Sequence, residues 1–245
     1  MIYSENDLWG KLQDFDLYKY ADKPIPVVKI NKHTNYFKKF FTSINMSLIL
    51  YPKILKAKNK DDYNKFDYYF YCNMSLVSLI TSLETYLENN FRAIAAESLV
   101  KDLNTEILVD FVKKFNIKPN YFEILKKYDA FKLSKILPSR MDFQQKDKAK
   151  IAYKLIDIDL KTIADKNCKI WESIFKKDNG YIDLRNNIIH VDIIKNDISN
   201  PMRINEELIY RASIDIAEFV FKLDKSISNE YPSPQYTDFY GTSAW

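Results

Sequence analysis

Residues 61–99 read DDYNKFDYYFYCNMSLVSLITSLETYLENNFRAIAAESL, and the spacing of their apolar side chains decides the fold class. Leu76, Ile80, Leu83, Leu87, Phe91 and Ile94 recur at steps of three and four. A helix turning by about 100° per residue gathers them on one stripe. Glu88, Arg92 and Glu97 fall largely outside that stripe. Glu84 differs from them. It projects roughly 60 to 80° from the centre of the stripe, at the edge of the face to be buried. A carboxylate there needs a partner, because an unpaired polar group at an apolar margin costs on the order of a few kcal/mol.

The same period continues on both sides. Upstream, Phe37, Phe40, Phe41, Ile44 and Leu48 follow helical spacing from Thr34, until Pro52 and the lysine-rich KILKAKNK predict a break. Downstream, residues 104–115 and 121–137 read as two helices separated by Lys118-Pro119-Asn120 and stopped by Pro138. Residues 146–160 and 167–177 extend the pattern, and residues 205–227 add a helix through Leu208, Ala212, Ile216, Phe219 and Leu223. No segment alternates at the period of a strand. The expectation is an all-α bundle of four or more helices occupying residues 61–228, with residues 1–60 as an N-terminal appendage and 229–245 as a C-terminal tail able to dock through its aromatics. Residues 1–33, including an extended Pro-Ile-Pro-Val-Val-Lys-Ile segment, are assigned no task.

Composition narrows the function. A chain of 245 residues holds one substantial core, and 47% apolar with 29% charged residues is a globular balance. Glycine occurs only at 10, 180 and 241, so neither a phosphate-cradling P-loop nor a dinucleotide fingerprint can be written in this chain. The formal net charge of +4 permits an acidic partner such as RNA without demonstrating one. Cys72 and Cys168 are too few and too isolated for a zinc site or a disulfide framework, and they read as reduced core residues. The lysines at 53, 56, 58 and 60 and at 146, 148 and 150 read as solvated faces that could meet an RNA backbone. His33 reads as a surface residue. With no leader-like segment and no apolar run near 18 residues, a soluble cytoplasmic protein is expected.

Chemistry concentrates in residues 171–195, WESIFKKDNGYIDLRNNIIHVDIIK. Asp178-Asn179-Gly180 break what precedes, Asp183 is placed to cap a new helix, and Leu184, Ile188 and Val191 give it one buried stripe. Asn186 and His190 share another face. Arg185 lies about 140° from His190 around the axis and about 7.5 Å below it. Side chains so divergent make a site only with a second surface.

The run Arg185-Asn186-Asn187-Ile188-Ile189-His190 resembles the Arg-x(4–6)-His signature of the HEPN superfamily, with its polar residue directly after the arginine. SLETYLENNF (82–91) is similar to the first long helix of that fold, and MDFQQKDKAKIAYKLIDIDL (141–160) to the segment preceding the motif helix in abortive-infection members. The resemblance covers about residues 61–228 and implies a helical bundle that forms a homodimer through the motif helices, placing two Arg/His pairs in one cleft. It further implies a metal-independent, cofactor-free endoribonuclease of a toxin or antiphage system, with RNA as substrate and an antitoxin or regulatory protein as a further partner. Arg185 and His190 would then be the catalytic residues, and Asn186 and Glu84 their supports. Asp192 occupies the position where one subfamily carries a nucleotide-accepting tyrosine, so that modification is not expected here. Two alternatives stay open: a catalytically inactive HEPN-like module binding a nucleotide or protein, and an unrelated helical scaffold in which Arg185 and His190 are structural.

Overall fold

The computed structural model describes residues 35–48, 50–58, 65–117, 131–164, 169–190 and 203–230. Expectations for residues 1–34, 118–130 and 231–245, and for Cys168, Val191 and Asp192, lie outside them. Among the described residues nine α-helices form: α1 (Asn35–Leu48), α2 (Tyr51–Lys58), α3 (Lys65–Glu97), α4 (Thr105–Lys114), α5 (Lys146–Leu155), α6 (Leu160–Ala164), α7 (Lys169–Phe175), α8 (Tyr181–Ile188) and α9 (Glu206–Glu230). No strand forms among these residues, and the β-pairing present is one antiparallel bridge between Leu99 and Lys132. The all-α expectation holds at this level.

The long helix α3 is the spine. All six residues of its stripe are buried, five of them completely. At 25 cal/mol per Å² of apolar surface removed from water, each such side chain contributes about 1.5–3 kcal/mol before entropy is counted. Phe91 marks the densest point, with the rings of Phe111, Phe143 and Tyr153 at centroid distances of 5.8, 6.0 and 5.9 Å. The buried Tyr153 hydroxyl donates to the Leu87 carbonyl at 2.9 Å, which fixes α5 along α3. On the far side α9 packs against α1, α3, α6 and α7. Its Asp224, fully buried, accepts from the Tyr86 hydroxyl at 3.0 Å.

Several boundaries differ from the periodicity. The stretch 53–58, read as a break, is helical, because Pro52 sits in the first turn of α2, where its missing N–H has no acceptor to lose. The two helices within the segment read as an appendage bury Phe37, Phe40, Ile44 and Ile54 in the same core as α3. A boundary near residue 60 therefore does not divide the packing. Within 121–137, residues 131–137 hold a short 3₁₀ turn at Leu133–Ile136 in place of a helix, since the backbone of Phe131 and Leu133 is bonded to Val100 and Ser98 beside it. The helix expected over 146–160 stops at Leu155. Asp157 takes a left-handed φ of 59°, and Asp159 then starts α6 by accepting from the Lys161 amide and the Thr162 hydroxyl.

Candidate active site and basic cleft

Helix α8, which carries Arg185, is aimed by the turn before it. Asp178 and Asn179 occupy left-handed conformations (φ 62° and 80°), which short polar side chains tolerate best. Gly180 follows with ordinary extended angles (φ −71°, ψ 158°) and is the helix N-cap. Its role is close approach, because a Cβ at this position would collide with the Lys176 carbonyl and lie 2.8 Å from the Lys176 nitrogen. Asp183 is therefore not the cap: it stands inside the first turn and reaches back to accept from the Asn179 amide at 3.2 Å. At the first position of α8, the Tyr181 hydroxyl donates to Asp215 of α9 at 2.6 Å. Burial, then Asp215, hold that phenol's pKa above the usual range.

So anchored, α8 buries Leu184 and Ile188 and turns Arg185 toward α3. Arg185 Nη2 lies 3.8 Å from Glu84 Oε2, and both side chains are less than one-fifth exposed. Arg185 Nη1 donates to Asn186 Oδ1 at 2.9 Å. Arg185 Nε and Glu84 Oε1 are buried without a hydrogen-bond partner among the described residues. Burial raises the pKa of Glu84; Arg185 and the Gln144 side chain pull it back only in part, and Asp142 and Glu88 add to the rise. The boundary carboxylate has thus found the arginine, at a separation too long for a hydrogen bond and short enough for an ion pair.

Gln144 is brought there by a clamp one and two turns along α3. Glu88 accepts from Arg92 Nε at 2.8 Å and from the Met141 amide at 3.2 Å, while Arg92 donates to the carbonyls of Pro138 and Ser139 at 2.7 and 2.9 Å. Residues 138–145 are thereby laid across the helix beside Glu84.

His190 is placed differently. The chain widens into a π turn at Ile189 and His190, and the imidazole is exposed, without a hydrogen bond or ion pair to a described residue. Within one chain, then, Glu84, Arg185 and Asn186 come together, and His190 joins none of their hydrogen bonds or ion pairs.

Asn186 has a second neighbourhood that the sequence did not disclose. It lines an open cleft of about 450 Å³ together with Lys114, Gln144, Lys146, Lys176 and Lys177. Lys114 pairs with Asp147 at 3.3 Å and Lys146 with Glu172 at 2.9 Å, whereas Lys176 and Lys177 have no ion pair among the described residues. Among the anticipated lysines, Lys58 is paired with Glu206 and Lys148 with Asp142. The cleft is assembled from three stretches far apart in sequence, around residues 114, 144–147 and 175–186, so no local motif could have revealed it. Among the described residues no three His, Cys, Asp or Glu side chains converge as metal ligands, and no helix is long and apolar enough to cross a membrane.

No protein-family model matches the chain, and neither a curated protein nor a solved structure matches it.

Proposed function

We propose that this protein is a metal-independent endoribonuclease of the HEPN type, working as a homodimer in a toxin or antiphage setting. One observation carries the reading: an arginine held between a carboxylate and an amide at the edge of a lysine-lined cleft, five residues before an exposed histidine. In this reaction the substrate's 2′-hydroxyl oxygen attacks the adjacent phosphorus, the P–O5′ bond breaks, and the products are a 2′,3′-cyclic phosphate and a 5′-hydroxyl. His190 takes the 2′-hydroxyl proton, and a protonated imidazole, supplied by His190 of a second copy, returns one to the leaving oxygen. Arg185 would offer its guanidinium to the phosphorane charge, oriented by Asn186 at Nη1 and by Glu84 at Nη2. A dimer would supply the Arg185 cluster with a histidine that, among the described residues of one chain, is neither hydrogen-bonded nor ion-paired to it.

A second reading has an observation in its favour. Arg185 is largely buried and already ion-paired, as a structural arginine would be, which suits a catalytically silent HEPN-like binding module. Incubating purified protein with single-stranded RNA in EDTA separates the two. The nuclease reading expects cyclic-phosphate ends, loss of cleavage in His190→Ala with the fold retained, and a drop on the order of 10²–10³ in rate for Arg185→Lys, which keeps charge and loses the planar fork. It also expects a dimer in solution that Asn187→Arg, on the exposed flank of α8, weakens. Cleavage of DNA, cleavage that needs added magnesium, or full activity in His190→Ala would refute it.

A further inference from the structure

A second groove, of about 520 Å³, continues the cleft beside Asn186: the two share Lys114 and Asp147 on their walls. The second is floored by α4 and α5 and adds Lys113, Lys150 and Lys154, with Asp110. Among the described residues seven lysines face three aspartates along this path. The path thus carries, among the described residues, a local excess of positive charge.

Its arrangement is directional. Lys146, Lys150 and Lys154 recur every four residues on α5, one above another, rising about 6 Å per step. Lys113 and Lys114 face them from the last turn of α4, and Lys176 and Lys177 stand at the opposite end, next to Asn186. Helix stability does not account for Lys146, since a cation at the first helical position opposes the macrodipole by about 0.3–1 kcal/mol. Lys113, Lys150, Lys154, Lys176 and Lys177 are exposed, and none is ion-paired to a described residue. Counter-charge among the described residues leaves most of the row available.

We infer that this row is a track for the phosphate backbone of single-stranded RNA, entering over Lys154 and Lys150 and delivering a phosphodiester to Asn186 and Arg185. The inference deepens the nuclease reading by naming the surface that holds the substrate. Lysine ammonium groups meet successive phosphates as point charges without reading bases, so recognition is of the backbone. An acidic protein partner fits less well: among the described residues Ile151, Phe175 and Ile182 are the only apolar side chains lining the two grooves, far short of the apolar centre a protein interface needs. A duplex is too broad to sink between helices spaced as α4 and α5 are, and it would meet only the rims.

The test is fluorescence anisotropy of a fluorescein-labelled oligouridylate with the 245-residue His190→Ala protein, so that binding is read without cleavage. Lys150→Gln/Lys154→Gln should weaken binding and lower the slope of log K against log salt by about 1.4, roughly 0.7 for each phosphate no longer neutralised. Lys101→Gln/Lys135→Gln, an equal loss of charge on exposed lysines off the track, should leave affinity and slope unchanged. Duplex RNA and polyglutamate should bind more weakly than the single strand. Equal effects of the two double variants would reduce the track to bulk charge, and polyglutamate binding as well as RNA would assign it to an acidic protein; either result overturns the inference, as does absence of RNA binding. Failure of the nuclease reading would show separately, as wild-type protein that binds the single strand through the track and never cuts it.

Discussion

Gly180 shows how much can rest on a hydrogen atom. It is one of three glycines in the chain, and its backbone is in a conformation any residue adopts, so the requirement is space: α8 starts against the backbone of Lys176. Gly180→Ala should cost about 1–3 kcal/mol, as overpacking against an immovable backbone does, and lower the urea midpoint accordingly. An unchanged midpoint would mean that the turn yields freely. Glu84 makes the companion case in charge. Its folded pKa is raised, so it binds its proton more tightly folded than unfolded; the associated stability is complete below the ordinary value of 4.5 and is lost as pH rises through the raised value. The stability of wild type relative to Glu84→Gln should therefore fall as pH climbs from 4 toward neutrality, in parallel urea titrations. A difference that rises over that interval would reverse the assigned direction.

At the scale of elements, what could be read beforehand was what repeats locally. The stripe on α3 was legible because burial on one face imposes a period on the sequence itself, and the edge position of Glu84 followed from the same wheel. Arg185, Asn186 and His190 were legible as a spacing on one helix. The interruption at Asp157 was not, since an aspartate in the left-handed region leaves no mark on hydrophobic period. Nor was the lysine cleft, whose members stand on α4, α5 and the turn before α8, nor the clamp by which Glu88 and Arg92 seat Gln144. Nonlocal assembly of this kind depends on how α4 and α5 meet α3 around Phe91. Phe91→Ala, in the middle of that aromatic cluster, should cost about 3–5 kcal/mol and expose the interior to a dye that reports apolar surface. A destabilisation below about 1 kcal/mol would show that the neighbouring rings close the space themselves.

For the whole molecule, the deep burial along α3 has a consequence for reactivity. The sulfur of Cys72 is fully buried on that helix, and burial pushes its thiol up to about 12. A thiol with that value is ionised to only about one part in ten thousand at pH 8, and no alkylating reagent reaches it while α3 keeps its neighbours. Cys72 is thus a chemical clock for the opening of the fold. Under native conditions its alkylation, followed by mass mapping of its own peptide, should be slower by orders of magnitude than in concentrated urea, and it should accelerate with added urea along the slope for complete unfolding. Rapid modification in buffer would place a local opening within the spine itself, and the supports of Arg185 would then be only as durable as that opening allows.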